Sequence, residues 1–311
     1  MIVRAPGKLV LWGEYAVLNG APAAVMAVNR YAAVTLNPST SAWRFTSQGF
    51  LTPGIYKAHN SFCGAPAAAV AETILRLWGY ACLPPPFSLS SDSRAFQHNN
   101  GTKLGLGSSA AVCTATYMAL AKLLDKPTSE AEAIAAHRAF QGGRGSGLDV
   151  AASWHGGVIR FAQGMSNPWT WPTHLHWQAV WTQHAASTTS SLGHFEQWRQ
   201  SQDTSALQRL SDTASALFVD PSLAGLAQYA EHLRMLDDTA QLNIFTPEHN
   251  RLATIANAHG LVYKPCGAGG GDIGLACGED PQALEAFARA AASEHFVPLD
   301  LEIARHGVTV G

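Results

Sequence analysis

The chain has 311 residues, of which 47% are hydrophobic and 14% are charged, and its formal net charge is -2. This length and apolar content allow one large domain or two domains of ordinary size, and they exclude a disordered chain. The nearly balanced charge argues against a broad surface for nucleic acid or membranes, so an anionic ligand would need a local binding site.

The sequence carries no run of about 18 apolar residues, so no membrane span is expected. Its start, MIVRAPGK, reaches Pro6 and Gly7 too early for a signal peptide. The five cysteines are irregularly spaced and form no CxxC pair, which favours buried free thiols over a zinc site or a disulfide framework. We therefore expect a cytoplasmic protein without nucleic-acid or membrane partners, present as a monomer or a homodimer.

The first third of the chain is rich in β-forming residues. Strands are predicted between Gly, Asn and Pro breaks, in the segments KLVLWGEYAV, AAVMAV, YAAVTLN and WRFTS. A first helix is predicted over 67–78 and ends at Gly79, and a second begins at Ser108 or Ser109 and continues to 124.

The rest of the chain alternates less regularly. Ser129 and Glu132 fit a capping box that opens a third helix, which ends near Gly142. Further helices are predicted near 191–200, 205–218, 223–236, 247–259 and 281–292, and further strands at GGVIRFA, LHWQAVWTQ, DIGLAC, HFVPLDLEI and HGVTVG. Strands first, helices in the middle and strands again at the end predict an α+β protein with two lobes. We place these lobes at 1–165 and 166–311.

The stretch GTKLGLGSSAAV, at 101–112, puts glycines directly before a helix start. A glycine-rich turn lets backbone N–H groups converge, and the helix adds unpaired N–H groups and the positive end of its dipole. This pattern predicts a phosphate site, although it is not the GxxxxGK[ST] loop. The hydroxyls of Ser108 and Ser109 could cap the helix, touch phosphate or bind Mg²⁺. An ordinary helix entry that uses Gly and Ser is the alternative.

Two other stretches favour a ligand site. KPCGAGGGDIGLA, at 264–276, concentrates glycines at a cost in backbone entropy, which is typical of backbone packed against a ligand or another loop; a tight β-turn is the alternative. RAPGKLVLWGEYAVLNG, at 4–20, places Lys8 at the start of an apolar strand and Glu14 after Gly13. Taken singly, Lys8 could be a solvated lysine, and Glu14 could pair with a nearby lysine for structure alone.

In this order, the three stretches resemble the motifs of the GHMP kinase superfamily, whose members phosphorylate small metabolites with ATP. APGKLVLWGEYAVL resembles the first motif, GLGSSAA the second, which is the ATP phosphate loop, and CGAGGGD the third. The resemblance implies a two-lobed α+β fold, with an N-terminal lobe like domain 2 of ribosomal protein S5 and a ferredoxin-like C-terminal lobe. It also implies a cleft that holds both substrates.

Within the superfamily, HRAFQGGRGSGLDVAASWHGG, at 137–157, resembles the phosphomevalonate kinases, in which a GSG-x-D-VA run follows a QG pair. Mevalonate kinases usually show PSG-x-D there, with a metal-binding Glu that this chain lacks. The lysine of GTKLGLGSS and the segment TPEHNRLATIANAHGLVYKPCGAGGGD are similar to the same subfamily. This resemblance implies a kinase that uses ATP and Mg²⁺ to convert 5-phosphomevalonate into 5-diphosphomevalonate in the mevalonate route to isoprenoids.

The resemblance also implies roles for single residues. Asp149 would accept a proton from the acceptor, and Lys8 would keep Asp149 ionised and offset developing charge. The residues implied for ATP are Gly105, Leu106, Gly107, Ser108, Ser109 and Ala110, with Ser108 also binding Mg²⁺. The residues implied for the acceptor are Lys103, Ser146, Gly147, Ser187, Gly269 and Gly270.

Each role has an alternative. Asp149 could be an N-terminal helix residue favoured by the helix dipole, and Lys103 could be a surface lysine. At the level of function, the alternatives are a mevalonate kinase or another small-alcohol kinase, a ligand sensor that has lost catalysis, and a decarboxylase of the same superfamily. The 13 histidines show no metal-ligand spacing.

Overall fold

The computed structural model describes residues 1–40, 42–49, 55–58, 61–143, 145–184, 188–201 and 204–311. The described strands belong to two separate sheets. In chain order they are β1 (Ile2–Trp12), β2 (Ala23–Pro38), β3 (Trp43–Gln48), β4 (Ile55–Ala58), β5 (Phe87–Asp92), β6 (Val158–Ala162), β7 (Met165–Trp169), β8 (His176–Trp181), β9 (Val262–Pro265), β10 (Ile273–Gly278), β11 (Val297–Leu299) and β12 (Thr309–Val310).

The helices of the described part lie mainly in the middle of the chain. In order they are α1 (Ala69–Leu77), α2 (Ser108–Leu123), α3 (Glu130–Phe140), α4 (Leu148–His155), α5 (Thr188–Ser201), α6 (Ser205–Ala216), α7 (Leu223–Ala240), α8 (Pro247–Ala258) and α9 (Pro281–Ser293). The capping box predicted before α3 is present in part, since Ser129 Oγ accepts a hydrogen bond from the backbone N–H of Glu132 at 3.4 Å. No helix in the described ranges is both long and apolar enough to cross a bilayer.

The first sheet follows the order β12-β1-β2-β5-β3-β4, with β6 paired to β2 and β7 paired to β6. The two strands predicted at AAVMAV and YAAVTLN form the single long strand β2. Two polar residues, Asn29 and Arg30, lie between them without ending the strand. The backbone N–H of Asn29 donates to Glu302 O, and the Asn29 side chain accepts from the N–H of Glu302, both at 3.0 Å. Strand β5, which the sequence did not predict, pairs with the second half of β2.

The second sheet has the order β11-β8-β10-β9, and all of its pairs are antiparallel. Numbered by their sequence order within this sheet, the strands run 4-1-3-2, which is the ferredoxin-like arrangement expected for the C-terminal lobe. Helices α8 and α9 pack against it. The short strand β9 was not predicted, because its Lys-Pro end is typical of a loop.

Helices α2 and α4 both pack against β1 and β2. Most of α2 between Ala110 and Ala121 is buried, so the helix packs within the core. A hydrogen bond of 2.7 Å from Ser153 Oγ to Pro6 O attaches α4 to β1. Both helices therefore lie beside the same strand.

The predicted division at 165/166 falls at the start of β7, which continues the first sheet by pairing with β6. The end of the chain also returns to that sheet, since Val310 lies opposite Val3. The division into lobes at this residue stays a prediction.

Candidate active site

The three stretches that the sequence singled out meet in one cleft of about 340 Å³. A fourth wall comes from the start of α4 and the residues before it. Among the described residues that line the cleft are Lys8, Glu14 and Tyr15 from the first stretch, Lys103 and 105–109 from the second, Gly267, Ala268 and Asp272 from the third, and 145–149 from the fourth wall. Segments more than 100 residues apart in the sequence thus converge on one volume.

The glycine turn before α2 has the geometry of an anion site. Gly105 and Gly107 have φ angles of +78° and +79°, which favour glycine, and Gly107 is the N-cap of the helix without a side-chain cap. The first N–H groups of α2 therefore remain available to a ligand. The backbone N–H of Lys8 donates to Leu106 O at 2.9 Å, which ties this turn to β1.

Both glycines also leave room for neighbouring side chains. A Cβ at Gly107 would lie 3.0 Å from Lys8 Cγ, and a Cβ at Gly105 would lie 2.6 Å from the Asp272 side chain. The turn therefore fits between the stem of Lys8 and the loop before β10. Replacing either glycine would displace a residue of the cleft.

The ammonium of Lys8 lies 3.5 Å from Asp149 Oδ1, and the two side chains are 11% and 34% exposed. Asp149 is in the first turn of α4, where the helix dipole favours a carboxylate. The expected N-terminal helix position is thus confirmed, and it coexists with the ion pair. Both residues of the pair line the cleft together with the glycine turn, so a ligand in the cleft can contact both charges.

The segment before α4 forms the opposite wall. Ser146 Oγ accepts a hydrogen bond from the backbone N–H of Leu148 at 3.4 Å. Gly147 has a φ of +96° and packs on Ile134 of α3, where an added Cβ would lie 2.6 Å from the isoleucine side chain. Lys103 lines the same cleft and is exposed. The structure therefore brings Lys103, Ser146 and Gly147 to the cleft that holds Lys8 and Asp149.

Two glycines expected to bind the acceptor are not among the residues that line this cleft, although Gly269 lines a smaller neighbouring cavity of about 30 Å³ beside Lys8. Gly269 packs against Ile244, and the N–H of Gly270 donates to Ile244 O at 3.1 Å. Among the described cleft residues, this loop contributes Gly267 and Ala268 instead. Ser187, also expected at the acceptor, lies outside the described residues.

The third stretch is held by two residues, Tyr15 and His249, to which the sequence analysis gave no role. Tyr15 OH donates to Ala268 O at 2.6 Å, and His249 Nε2 donates to Gly271 O at 2.9 Å. Because a carbonyl only accepts, His249 carries its proton on Nε2, and its Nδ1 accepts from Tyr263 OH at 2.8 Å. Burial lowers the pKa of His249 to about 4, so the ring is neutral at pH 7.

Helix α3 also contributes polar groups that sequence reasoning missed. Ser109 Oγ lies 3.1 Å from His137 Nε2 and accepts from Gln141 Nε2 at 3.4 Å. Burial lowers the pKa of His137, although the charge of Asp149 opposes this shift. The i, i+4 spacing of His137 and Gln141, which puts both on one helix face, was the available signal. Ser109 is therefore tied to α3, whereas the Ser108 hydroxyl makes no hydrogen bond to another described residue.

A buried ion pair stands behind the cleft. Lys264 Nζ contacts Glu14 Oε1 at 2.5 Å, and Tyr229 OH donates to Glu14 Oε2 at 2.8 Å. Burial opposes the charge of Lys264, but Cys266 and Glu14 outweigh it and raise the pKa of this lysine. The pairing of Glu14 with a lysine, considered as the alternative from sequence, is confirmed.

Metal binding would rely on few protein ligands. The described residues contain no group of three or more His, Cys, Asp or Glu side chains that could hold an ion. The oxygens of Ser108 and Asp149, both in the cleft, suit a hard cation that takes its other ligands from phosphate and water.

Comparisons with known proteins cover the whole molecule. Residues 66–157 match the model of the GHMP kinases N terminal domain. The chain is 33% identical to the phosphomevalonate kinase of Streptomyces sp. (strain CL190), over 88% of this chain and 89% of that protein. It is 26% identical to the mevalonate kinase of Bos taurus, over 100% of this chain and 94% of that protein.

A solved structure shares the fold. The Streptococcus pneumoniae phosphomevalonate kinase, in complex with phosphomevalonate and AMPPNP, matches with a TM-score of 0.76 and 22% sequence identity. The match covers 97% of this chain and 99% of that chain. The similarity therefore includes both sheets and the cleft, beyond the segment that the family model matches.

Proposed function

Since the chain belongs to the GHMP kinases, a family of phosphotransferases, we propose that it transfers the terminal phosphoryl group of ATP to 5-phosphomevalonate and releases 5-diphosphomevalonate and ADP. The observation that carries this proposal is the Lys8–Asp149 pair, which joins the strand beside the phosphate-binding glycine turn to the cleft wall at 145–149. The relative with 33% identity, a phosphomevalonate kinase, supports this acceptor.

The side of the cleft formed by Lys103 and 145–149, here called the acceptor wall, is suited to an anion. Lys103 supplies positive charge, and the start of α4 supplies backbone N–H groups and the positive end of its dipole. An acceptor that carries a phosphate satisfies these groups. Mevalonate carries a carboxylate but no phosphate, so it offers these groups less negative charge, and this arrangement favours phosphomevalonate over mevalonate.

Phosphoryl transfer requires in-line positioning and neutralisation of charge. An oxygen of the acceptor phosphate attacks the γ-phosphorus, the bond from that phosphorus to the β–γ bridging oxygen breaks, and ADP leaves. Asp149 orients the attacking group and takes its proton where one is present. Because a phosphate hydroxyl is already acidic, positioning contributes more here than base catalysis. Lys8 pairs with the Asp149 carboxylate and offsets charge on the transferred group.

The nucleotide phosphates fit against the N–H groups of 105–110, where the positive φ angles of Gly105 and Gly107 open the turn. Magnesium, bound by Ser108 and by phosphate oxygens, would neutralise charge on the β- and γ-phosphates. The cytoplasmic location and the choice between monomer and homodimer stay predictions.

The decisive experiment is a coupled ADP-release assay with mevalonate, phosphomevalonate, diphosphomevalonate, homoserine and galactose as acceptors. We expect kcat/KM for phosphomevalonate to exceed that for each other acceptor by roughly 100-fold, since the loss of a charged contact costs about this factor. Preference for mevalonate would identify an alcohol kinase, and CO₂ release from diphosphomevalonate would identify a decarboxylase. Calorimetric binding of ATP and phosphomevalonate without turnover would identify a sensor.

A further inference from the structure

Arg138, on the exposed face of α3, makes an arrangement of hydrogen bonds that the function proposed above does not use. Its Nε donates to Gly145 O at 2.9 Å, and one of its terminal nitrogens donates to Ser146 O. The guanidinium thus holds two consecutive carbonyl oxygens of the acceptor wall. A lysine has one nitrogen and could not reproduce this fork.

The two carbonyls determine where the following N–H groups point. In a trans peptide the C=O and the next N–H point in opposite directions, and the structure contains no cis peptide bond among its described residues. When the carbonyls of Gly145 and Ser146 face Arg138, the N–H groups of Ser146 and Gly147 therefore face away from it. Consecutive N–H groups on one side of the chain form a concave anion site.

These two N–H groups remain available to a ligand. Neither the N–H of Ser146 nor that of Gly147 donates to an acceptor in the part of the chain that the structure describes. Both residues line the cleft that holds Lys8 and Asp149. The N–H groups of α4 follow directly, so the row continues into the helix start.

We propose that Arg138 is a positioning residue for the acceptor. It contacts no substrate, but by holding the carbonyls of Gly145 and Ser146 it turns the N–H groups of Ser146 and Gly147 towards the acceptor phosphate. Ile134, one helical turn before Arg138 on α3, packs against Gly147 and so also holds the segment 145–147 in place. The inference rests on the proposed function, because it assigns this wall to a phosphorylated acceptor.

The test uses steady-state kinetics of the full-length protein with Arg138→Met and Arg138→Lys. The matched control is Arg289→Met, which removes an exposed helical arginine paired with Glu285 on α9. For Arg138→Met we expect KM for phosphomevalonate to rise roughly 10- to 100-fold, as for loss of hydrogen bonds from a charged donor, with KM for ATP changed less than about twofold. Arg138→Lys should fall between this variant and wild type.

Added guanidinium at millimolar concentration should lower the raised KM of Arg138→Met and leave the control unchanged, which a merely structural role would not produce. Unchanged acceptor KM, or an equal rise in KM for ATP, would overturn the proposal. If Arg138→Met fails to fold, Arg138→Lys provides the test, again by comparing the change in KM for phosphomevalonate with the change in KM for ATP. If wild type prefers an acceptor without a phosphate, the acceptor panel overturns the proposed function, and with it this role of Arg138. If wild type prefers phosphomevalonate but Arg138→Met leaves its KM unchanged, only the role of Arg138 fails.

Discussion

The Lys8 side chain reaches Asp149 by passing close to Gly107, a residue that has no side chain. Lys8 leaves β1 and passes over Gly107, where a Cβ would approach its Cγ to 3.0 Å, before its ammonium comes within 3.5 Å of Asp149. The lysine is 11% exposed, so its charge is only partly screened by water. The carboxylate is held by the first turn of α4 and the ammonium by β1, so the distance between them depends on the packing of these two elements.

At the residue scale, Asp149→Asn should lower kcat roughly 100-fold or more while KM for ATP changes little. The amide keeps the shape but cannot accept a proton or neutralise Lys8. Steady-state kinetics with saturating ATP measure the effect, and Asp220→Asn, on an exposed aspartate, is the control. A kcat equal to that of wild type would remove Asp149 from the proposed mechanism.

At the scale of elements, the glycine-rich loop at 267–272 is held by α8, a helix that packs against the second sheet. His249 of α8 is fully buried, donates to Gly271 O and accepts from Tyr263 OH. Its ring must stay neutral in order to accept from the tyrosine. The charge of Glu248 raises its pKa and that of Lys264 lowers it, but burial has the largest effect. The loop that reaches the cleft is therefore held by a group that the folded protein keeps unprotonated.

This arrangement predicts a loss of stability in acid. The pKa of His249 is about 4 in the folded protein and 6.5 in an unperturbed histidine. Between these values His249 binds a proton in the unfolded chain but stays neutral in the folded protein. The free energy of unfolding therefore falls as the pH falls. From pH 7 to pH 4 the loss from this group is about 3 kcal/mol. Urea unfolding at several pH values measures it.

The comparison with His249→Gln isolates this contribution, because all other titrating groups are common to both proteins. The variant should show a smaller decrease in the free energy of unfolding over this pH range than wild type. His174→Gln, on an exposed histidine, should keep the wild-type slope. Identical slopes for wild type and His249→Gln would show that burial of this ring does not govern the acid response.

At the scale of the whole molecule, a buried ion pair joins the two sheets. Glu14 follows β1 of the first sheet, Lys264 lies in β9 of the second, and Tyr229 of α7 completes the contact through Glu14. The N–H of Gly13 donates to Tyr229 OH at 2.8 Å. Since both ends of the pair lie next to cleft-lining stretches, the contact sets the distance between the first and third loops.

Lys264→Met should lower the free energy of unfolding by about 3–5 kcal/mol, because it leaves the Glu14 carboxylate buried without its partner. The double variant with Glu14→Gln should recover part of this loss, since it removes the uncompensated charge. Denaturant unfolding of the single and double variants measures both effects. Lys122→Met, on the exposed side of α2, is the control, and an effect of Lys264→Met no larger than this control would contradict the prediction.

Much of the fold could be predicted from the sequence, because helix boundaries carry local signals. Glycines and capping residues indicated α1, α2 and α3, and the sequence also predicted helices where α5 to α9 lie. The strands that escaped prediction, β4, β5, β7 and β9, are short and contain serine, lysine or proline. Such strands are stabilised by pairing with distant partners, which a local pattern does not reveal.

By itself, the sequence determined the glycine turn, the lysine and aspartate beside it, and their resemblance to the GHMP kinases. These follow from local backbone chemistry, since only glycine adopts the turn conformations easily. The tertiary structure alone decided that Gly267 and Ala268 line the cleft while Gly269 lines a smaller cavity beside it, and that Lys264 pairs with Glu14. It also decided that Arg138 donates to the carbonyls of Gly145 and Ser146. These contacts join residues brought together by packing, and the direction in which a loop turns depends on what it packs against.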